Sequence, residues 1–183
     1  MTYEIDICGL KRQLPICPLN DKLAIGAFVI FGDVELTEHC AKELLKRAPE
    51  FDYLIAPEAK SIPLVYEMSR RSGIKYFLAR KKAKAYMTGV FEVKVQSITT
   101  FGVQTLCIDT ADAAAMKGKR IAIVDDVIST GESLHAVEEL VRKAGGDIVA
   151  RLSILAEGEA YDREDLTVLA KLPLFTPDGR PIE

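Results

Sequence analysis

The chain has 183 residues, which is long enough for one α/β domain with its own hydrophobic core. Its net charge of −3 argues against a general nucleic-acid-binding protein, a class that usually carries a basic excess. The N-terminus contains no long apolar run, so we expect neither a signal peptide nor a membrane-spanning segment, and no membrane partner.

The cysteines are scattered along the chain, with no C-x-x-C pair among them. The two histidines, His39 and His135, also lie far from any spacing typical of zinc ligands. We therefore predict no zinc site, free thiols and a cytoplasmic location, because a reducing compartment keeps thiols unpaired. The four cysteines are Cys8, Cys17, Cys40 and Cys107.

The first thirty residues give weak signals. Apolar and acidic residues alternate over residues 3–7, which indicates a short strand. Two prolines make residues 14–19 extended. The apolar run 27–31 is compatible with a strand or with part of a lid over a binding site.

The next segment reads as a strand and two helices. Thr37 is the predicted cap of a helix over residues 38–47. A buried strand over 53–56 is followed by the polar loop 57–61 and by a helix that runs to Gly73. Strand, loop and helix in this order predict a parallel sheet whose loops share one edge.

A third strand, residues 75–79, runs directly into the basic segment 80–84. A charge run of this kind is usually a solvated turn. Here it follows a strand, so it also lies at the loop edge, where cations could neutralise an anionic ligand. Residues 90–95 alternate apolar and charged residues as an exposed antiparallel ribbon does, and 103–108 is the returning strand.

The most informative stretch begins with the apolar strand 121–124. Asp125 and Asp126 follow it, then the small residues 129–131, and from Ser133 a helical pattern begins. Strands 148–155 and 168–172 complete the sheet, the second of them at an edge. The tail, residues 176–183, contains two prolines and one glycine and is predicted to be loose.

This order of residues has a chemical use. A loop that enters a helix offers unpaired backbone N–H groups and the positive end of the helix dipole, which together hold a phosphate. Gly131 allows close approach of an anion, and Ser129, Thr130 and Ser133 add hydroxyl donors. Two adjacent carboxylates would grip hydroxyl groups, directly or through Mg²⁺.

A phosphate beside a diol is a ribose phosphate, and we take this as the ligand class. The alternative is an exposed Asp-Asp turn followed by an ordinary helix cap. The chain contains neither the G-x-x-x-x-G-K-[ST] phosphate loop nor G-x-G-x-x-G, so two other nucleotide-binding motifs are excluded.

Residues 124–133 resemble the phosphoribosyl-pyrophosphate (PRPP) signature of type I phosphoribosyltransferases at every fixed position. In layout the chain is most similar to the adenine- and xanthine-type purine enzymes. The resemblance implies an α/β fold with a central parallel sheet flanked by helices, in a single domain, residues 1–183. It also implies a small hood from about residues 1–35 and 156–175, and a flexible lid at about 82–104.

The resemblance also implies roles for individual residues. Asp125 and Asp126 would hold the ribose hydroxyls and, mostly indirectly, the cofactor Mg²⁺, with Lys84 as a further catalytic residue. The 5′-phosphate would be bound by Ser129, Thr130, Gly131, Glu132 and Ser133. Pyrophosphate would be bound by Ala59, Lys60, Ser61, Arg80, Lys81 and Lys84. The base pocket would contain Phe31, Val127 and Glu157.

Several positions depart from the family pattern. Lys60 and Ser61 replace an arginine or serine and a glycine, and Ala83 replaces a glycine. Adenine-specific enzymes carry a glutamate in the run that aligns with residues 99–102, where this chain has Thr100.

The resemblance therefore implies a purine salvage enzyme that transfers the 5-phosphoribosyl group of PRPP to a purine. Adenine is the favoured base, and a 6-oxopurine (hypoxanthine, guanine or xanthine) is the alternative. A non-catalytic PRPP-sensing module is a third possibility. A homodimer is expected from the family.

Overall fold

The computed structural model describes residues 1–96 and 103–182. Its α-helices are α1 (Val34–Arg47), α2 (Ile62–Ser72), α3 (Thr110–Met116) and α4 (Glu132–Lys143). The first strands are β1 (Thr2–Ile7), β2 (Leu10–Pro18), β3 (Ala24–Gly26), β4 (Tyr53–Pro57), β5 (Tyr76–Ala79) and β6 (Val90–Gln96). The later strands are β7 (Val103–Asp109), β8 (Arg120–Ile128), β9 (Asp147–Glu157), β10 (Thr167–Leu172), β11 (Leu174–Phe175) and β12 (Pro181–Ile182).

The centre of the molecule is a five-stranded sheet in the order β10-β9-β8-β4-β5. Every neighbouring pair in this sheet is parallel. The predicted parallel α/β fold is thus confirmed, and β10 lies at an edge as predicted. Since all five strands run the same way, the loops that follow them meet at one edge of the sheet.

Helices cover both faces of this sheet, and alternate strand residues enter two separate cores. Leu54 of β4 packs in the core that contains α1 and α2, whereas its neighbour Ile55 packs in the core of α3 and α4. Val124 and Ile123 of β8 divide in the same way. Burial on both faces explains why these strands are continuous apolar runs.

Helix α1 begins earlier than the sequence indicated. Asp33, and not Thr37, is its N-cap: the Asp33 carboxylate accepts a hydrogen bond of 3.0 Å from the Leu36 N–H. Thr37 is buried inside the helix and donates its hydroxyl to the Asp33 carbonyl. Helix α2 ends as predicted at Gly73, which has φ +71°.

A second, antiparallel sheet, β1-β2-β3-β11-β12, is formed by the two ends of the chain; we call it the hood sheet. The apolar run 27–31 forms no strand. The hood strand β3 ends just before it, at Gly26. The prediction of a loose tail is wrong at Pro181 and Ile182, which pair with β11.

The predicted ribbon is formed by β6 and β7, which pair along their full length. It is less exposed than its alternation suggested, since Val93, Leu106 and Ile108 are buried against α4 and α3. The run 99–102, with Thr100, lies outside the described residues. Among the described helices, none is long and apolar enough to cross a membrane.

Gly146 provides a test of the packing between α4 and the central sheet. A Cβ at this position would lie 2.9 Å from both Ile121 Cγ1 and Val141 Cγ1, which belong to fully buried side chains. We expect Gly146→Ala to lower the free energy of unfolding by about 1–3 kcal/mol. Urea denaturation measures this change, and an unchanged midpoint would contradict the packing described.

Candidate active site

Strand β8 carries the two acids that the sequence placed just beyond its end. In the structure the strand continues to Ile128, so Asp125 and Asp126 lie within it. The reason is that the backbone goes on pairing with β9, for example between Asp125 and Ser153. Both carboxylates are only 6% exposed.

Ser61 connects the start of α2 to this acid pair. Its hydroxyl donates to Asp125 Oδ1 at 2.5 Å, and the Asp126 N–H donates to the same oxygen at 2.9 Å. The Ser61 hydroxyl is also 3.4 Å from Asp126 Oδ1. Within the described part of the chain, Asp126 Oδ2 is buried and has no hydrogen-bond partner.

The pair is electrostatically costly without a ligand. Burial raises the pKa of Asp125, the Ser61 hydroxyl opposes this rise, and the nearby Asp126 carboxylate adds to it. A buried carboxylate oxygen without a donor is similarly unfavourable. Both penalties would be relieved by a ligand that brings hydroxyl donors or a cation.

The turn after β8 has the features of an anion site. Gly131 has φ +79° and is the N-cap of α4, which begins at Glu132, one residue before the predicted start. Gly131 offers no side-chain cap to the helix, and the backbone N–H groups of the first turn point toward this end of the helix. Ser129 and Thr130, just before the turn, are exposed.

The loop after β4 brings a cation beside the acids. Ala59 and Lys60 are exposed, whereas Ser61 is buried and uses its hydroxyl to bind Asp125. Lys60 lines a cavity together with Asp126. The peptide bond between Glu58 and Ala59 is cis.

Glu58 ties this loop to the basic segment after β5. Its carboxylate accepts from the Arg80 guanidinium at 3.0 Å and from the Lys81 N–H at 2.9 Å. Burial would raise the pKa of Glu58, but the Lys81 N–H, Lys84 and Arg80 together lower it. Arg80 is thereby held in place, while the side chains of Lys81 and Lys84 stay exposed.

Two cavities open beside these residues. A cavity of about 280 Å³ is lined by Lys60, Asp126, Val127, Ser129 and Glu157, and by residues from Ile25 to Val29 and Leu172. A larger cavity, of about 650 Å³, shares Ile25, Ser129 and Glu157 with it. It continues past Thr130 along the segment 157–163 and the hood residues Leu19, Leu23 and Leu174.

Residues 34–171 of this chain match the protein-family model that describes the phosphoribosyl transferase domain. The chain belongs to the phosphoribosyltransferase family. Adenine phosphoribosyltransferase of Thermotoga maritima is 35% identical over 164 residues, 85% of this chain and 87% of that protein. Hypoxanthine/guanine phosphoribosyltransferase of Methanothermobacter thermautotrophicus is 32% identical over 151 residues, 80% of this chain and 75% of that protein.

The fold is also that of solved phosphoribosyltransferases. The adenine phosphoribosyltransferase of Thermoanaerobacter pseudethanolicus superposes with a TM-score of 0.72 at 21% identity, over 86% of this chain and 95% of that chain. The enzyme of Giardia lamblia, solved with 9-deazaadenine, gives 0.66 at 17% identity, over 93% of each chain. The predicted type I phosphoribosyltransferase fold is therefore confirmed.

Of the residues that resemble the PRPP signature, Asp126, Val127, Ser129 and Thr130 line the two cavities described above. Val127 and Glu157 line the smaller cavity, whereas Phe31 is 52% exposed and lines neither cavity. Phe28 and Val29, from the same apolar run, line the smaller cavity instead. Burial raises the pKa of Glu157.

The sequence reasoning also missed three features. Glu58 belongs to the loop 57–61, but the family resemblance assigns it no role. Phe28 belongs to the apolar run 27–31, which the sequence makes compatible with a strand or with part of a lid. Arg163 lines the larger cavity, and no motif in the sequence indicated it. These positions depend on contacts between segments far apart in the chain.

The raised pKa of Asp125 gives a testable pH dependence. Because the folded-state pKa lies above the unfolded one, the folded protein binds this proton more tightly, and stability is lost as pH rises through the folded pKa. Asp125→Asn keeps an acceptor for Ser61 and removes the charge. We expect its melting temperature to exceed that of the wild type by about 2–4 °C at about pH 8, with less difference near pH 5.

Asp21→Asn, at an exposed carboxylate, is the matched control and should show no such trend. A gain for Asp125→Asn that is larger at the lower pH would contradict the assignment. The melting curves are to be recorded without Mg²⁺ or PRPP, because either ligand would stabilise the carboxylate form.

Proposed function

We propose that this protein transfers the 5-phosphoribosyl group of PRPP to a ring nitrogen of a purine, with adenine as the favoured base and release of pyrophosphate. The observation that carries the proposal is one cavity in which Asp126, Lys60 and Ser129 lie beside Glu157. This arrangement places carboxylates, a cation and an anion-binding turn at the carboxyl edge of a parallel sheet, where ligands of such sheets bind.

The ribose phosphate would be held by β8 and the turn that follows it. Backbone N–H groups and hydroxyls of residues 129–133 bind the 5′-phosphate, favoured by the α4 dipole. Asp125 and Asp126 accept hydrogen bonds from the ribose hydroxyls, which would supply a donor that Asp126 Oδ2 does not find among the described residues. A sugar held in this way keeps its reactive carbon in one position.

The leaving pyrophosphate would be bound by the two loops that Glu58 connects. As the bond from the anomeric carbon to pyrophosphate breaks, negative charge collects on the leaving group and positive charge on the ribose. The backbone at Ala59 and Ser61 and the side chains of Lys60, Arg80, Lys81 and Lys84 would neutralise the pyrophosphate. We assign Lys84 to the catalytic group because it is exposed and belongs to this basic segment.

The acid pair also fits Mg²⁺. This ion prefers oxygen ligands, keeps several waters and is held by one or two carboxylates together with substrate phosphates. Asp125 and Asp126 supply such carboxylates, and no larger set of metal-binding side chains occurs within residues 1–96 and 103–182. Mg²⁺ bound here, mostly through ligand oxygens, would add positive charge beside the pyrophosphate.

The base would lie in the smaller cavity, against Val127 and Phe28 and within reach of Glu157. An ionised Glu157 accepts hydrogen bonds, which suits the 6-amino group of adenine. Thr100 in place of the family's glutamate, and the 32% identity with a hypoxanthine/guanine enzyme, favour a 6-oxopurine as the second candidate.

We further propose a cytoplasmic homodimer. All four cysteines are free thiols, which suits a reducing compartment. The exposed side chains of Val34 and Tyr66 line a groove of about 240 Å³ between α1 and α2, and Phe31 is exposed nearby. Exposed apolar groups of this kind are typical of protein interfaces.

Nucleotide formation from PRPP and Mg²⁺ with adenine, hypoxanthine, guanine and xanthine tests the function directly. We expect turnover of adenine, reduced about 10- to 100-fold in kcat/KM by Asp126→Asn, which removes a charged acceptor. Turnover of an oxopurine alone would select the second candidate. PRPP binding without turnover of any base would contradict the proposed enzymatic activity and would indicate a non-catalytic PRPP-sensing module.

Glu157→Gln tests whether Glu157 recognises the 6-substituent of the purine base. The amide replaces one acceptor by a donor, so the ratio of kcat/KM for adenine to that for hypoxanthine should fall about tenfold, while the KM for PRPP stays constant. Glu159→Gln, on the same loop but lining only the larger cavity, is the matched control. An equal effect of both variants would contradict the role of Glu157.

A further inference from the structure

Arg163 lies against the turn that begins α4. It follows the short 3-10 helix Gly158–Asp162, which continues from β9, and it lines the larger cavity with Ser129 and Thr130. A Cβ at Gly131 would be 3.2 Å from Arg163 Nη1. The guanidinium therefore lies close beside the turn at Gly131.

Asp165 fixes the orientation of this guanidinium. Its two oxygens accept from Arg163 Nε and Nη2, each at 2.9 Å, which is a two-pronged ion pair. The third nitrogen, Nη1, has no hydrogen-bond partner in the described part of the chain. It is also the guanidinium nitrogen that lies near Gly131.

The ion pair is itself anchored on α4. Asp165 Oδ2 lies 3.4 Å from Arg151 Nε, and Arg151 is paired with Glu138. Glu138 is a buried residue of α4. Arg163 is thus connected, through two further ion pairs, to the same helix whose first turn it covers.

We propose that Arg163 is a further binding residue for the 5′-phosphate, closing the side of the anion that the turn and the α4 N-terminus leave open. This rests on the proposed function, which places a phosphate at residues 129–133. The base is a less suitable partner, since Arg163 lines only the larger of the two cavities, whereas Val127 and Lys60 line only the smaller one. A guanidinium with donors alone suits a phosphate.

The test compares Arg163→Gln with Arg180→Gln. Arg180 also pairs with an aspartate two residues away, Asp178, but it is exposed and lines neither cavity, so it is a matched control. Calorimetric titration with ribose 5-phosphate and with PRPP should give dissociation constants about tenfold higher for Arg163→Gln, and unchanged values for Arg180→Gln. Binding of adenine should not change.

Equal ribose 5-phosphate binding by the two variants, or a loss restricted to adenine, would overturn the inference. If Arg163→Gln melts below the control, Arg163→Lys decides instead: a rise of about threefold or more supports the role, and no rise overturns it. Because ribose 5-phosphate carries no base, its binding separates the two proposals. If Arg163→Gln loses ribose 5-phosphate binding and the wild-type protein turns over no purine, the phosphate-binding role of Arg163 is supported and the proposed transfer reaction is contradicted.

Discussion

The buried acid pair within β8 is the constraint on which the site depends. Two adjacent carboxylates, each 6% exposed, are held close together, and the pKa of Asp125 is raised by burial. A core of this kind is costly unless its polar groups are satisfied. Ser61 and a backbone N–H satisfy one oxygen, whereas Asp126 Oδ2 has no partner in the residues described. The fold thus holds buried carboxylate acceptors in place, and the hydroxyl groups of a ribose would satisfy them. Acceptors fixed before the ligand arrives are typical of a preorganised site.

The parallel sheet brings the remaining parts of the site to this pair. Strands β4, β5, β8 and β9 end at one edge, so loops distant in sequence become neighbours there. Ser61 links the β4 loop to the acids, and Glu58 links the same loop to Arg80 and the Lys81 backbone. These hydrogen bonds hold the proposed pyrophosphate loop in one position relative to the acid pair. Preorganisation of this kind reduces the reorganisation needed during reaction.

The hood sheet contributes to both cavities of the site. Ile25 of β3 lines both of them together with Ser129 and Glu157, and Leu174 of β11 lines the larger one. Relatives named for adenine and for hypoxanthine and guanine are similarly close to this chain.

The sequence by itself determined the strand–loop–helix order, the parallel sheet, and the succession of two acids and a turn of small residues after an apolar strand, because each depends on local patterning of apolar, small and charged residues. It misplaced the start of α1 and the end of β8, where a cap at Asp33 and pairing with β9 outweighed the local pattern. Only the tertiary structure decided the contacts across distant segments: Ser61 with Asp125, Phe28 in one cavity with Glu157, and Arg163 against Gly131. Such contacts arise when loops from separate strands meet, and no spacing along one chain encodes how near they will come.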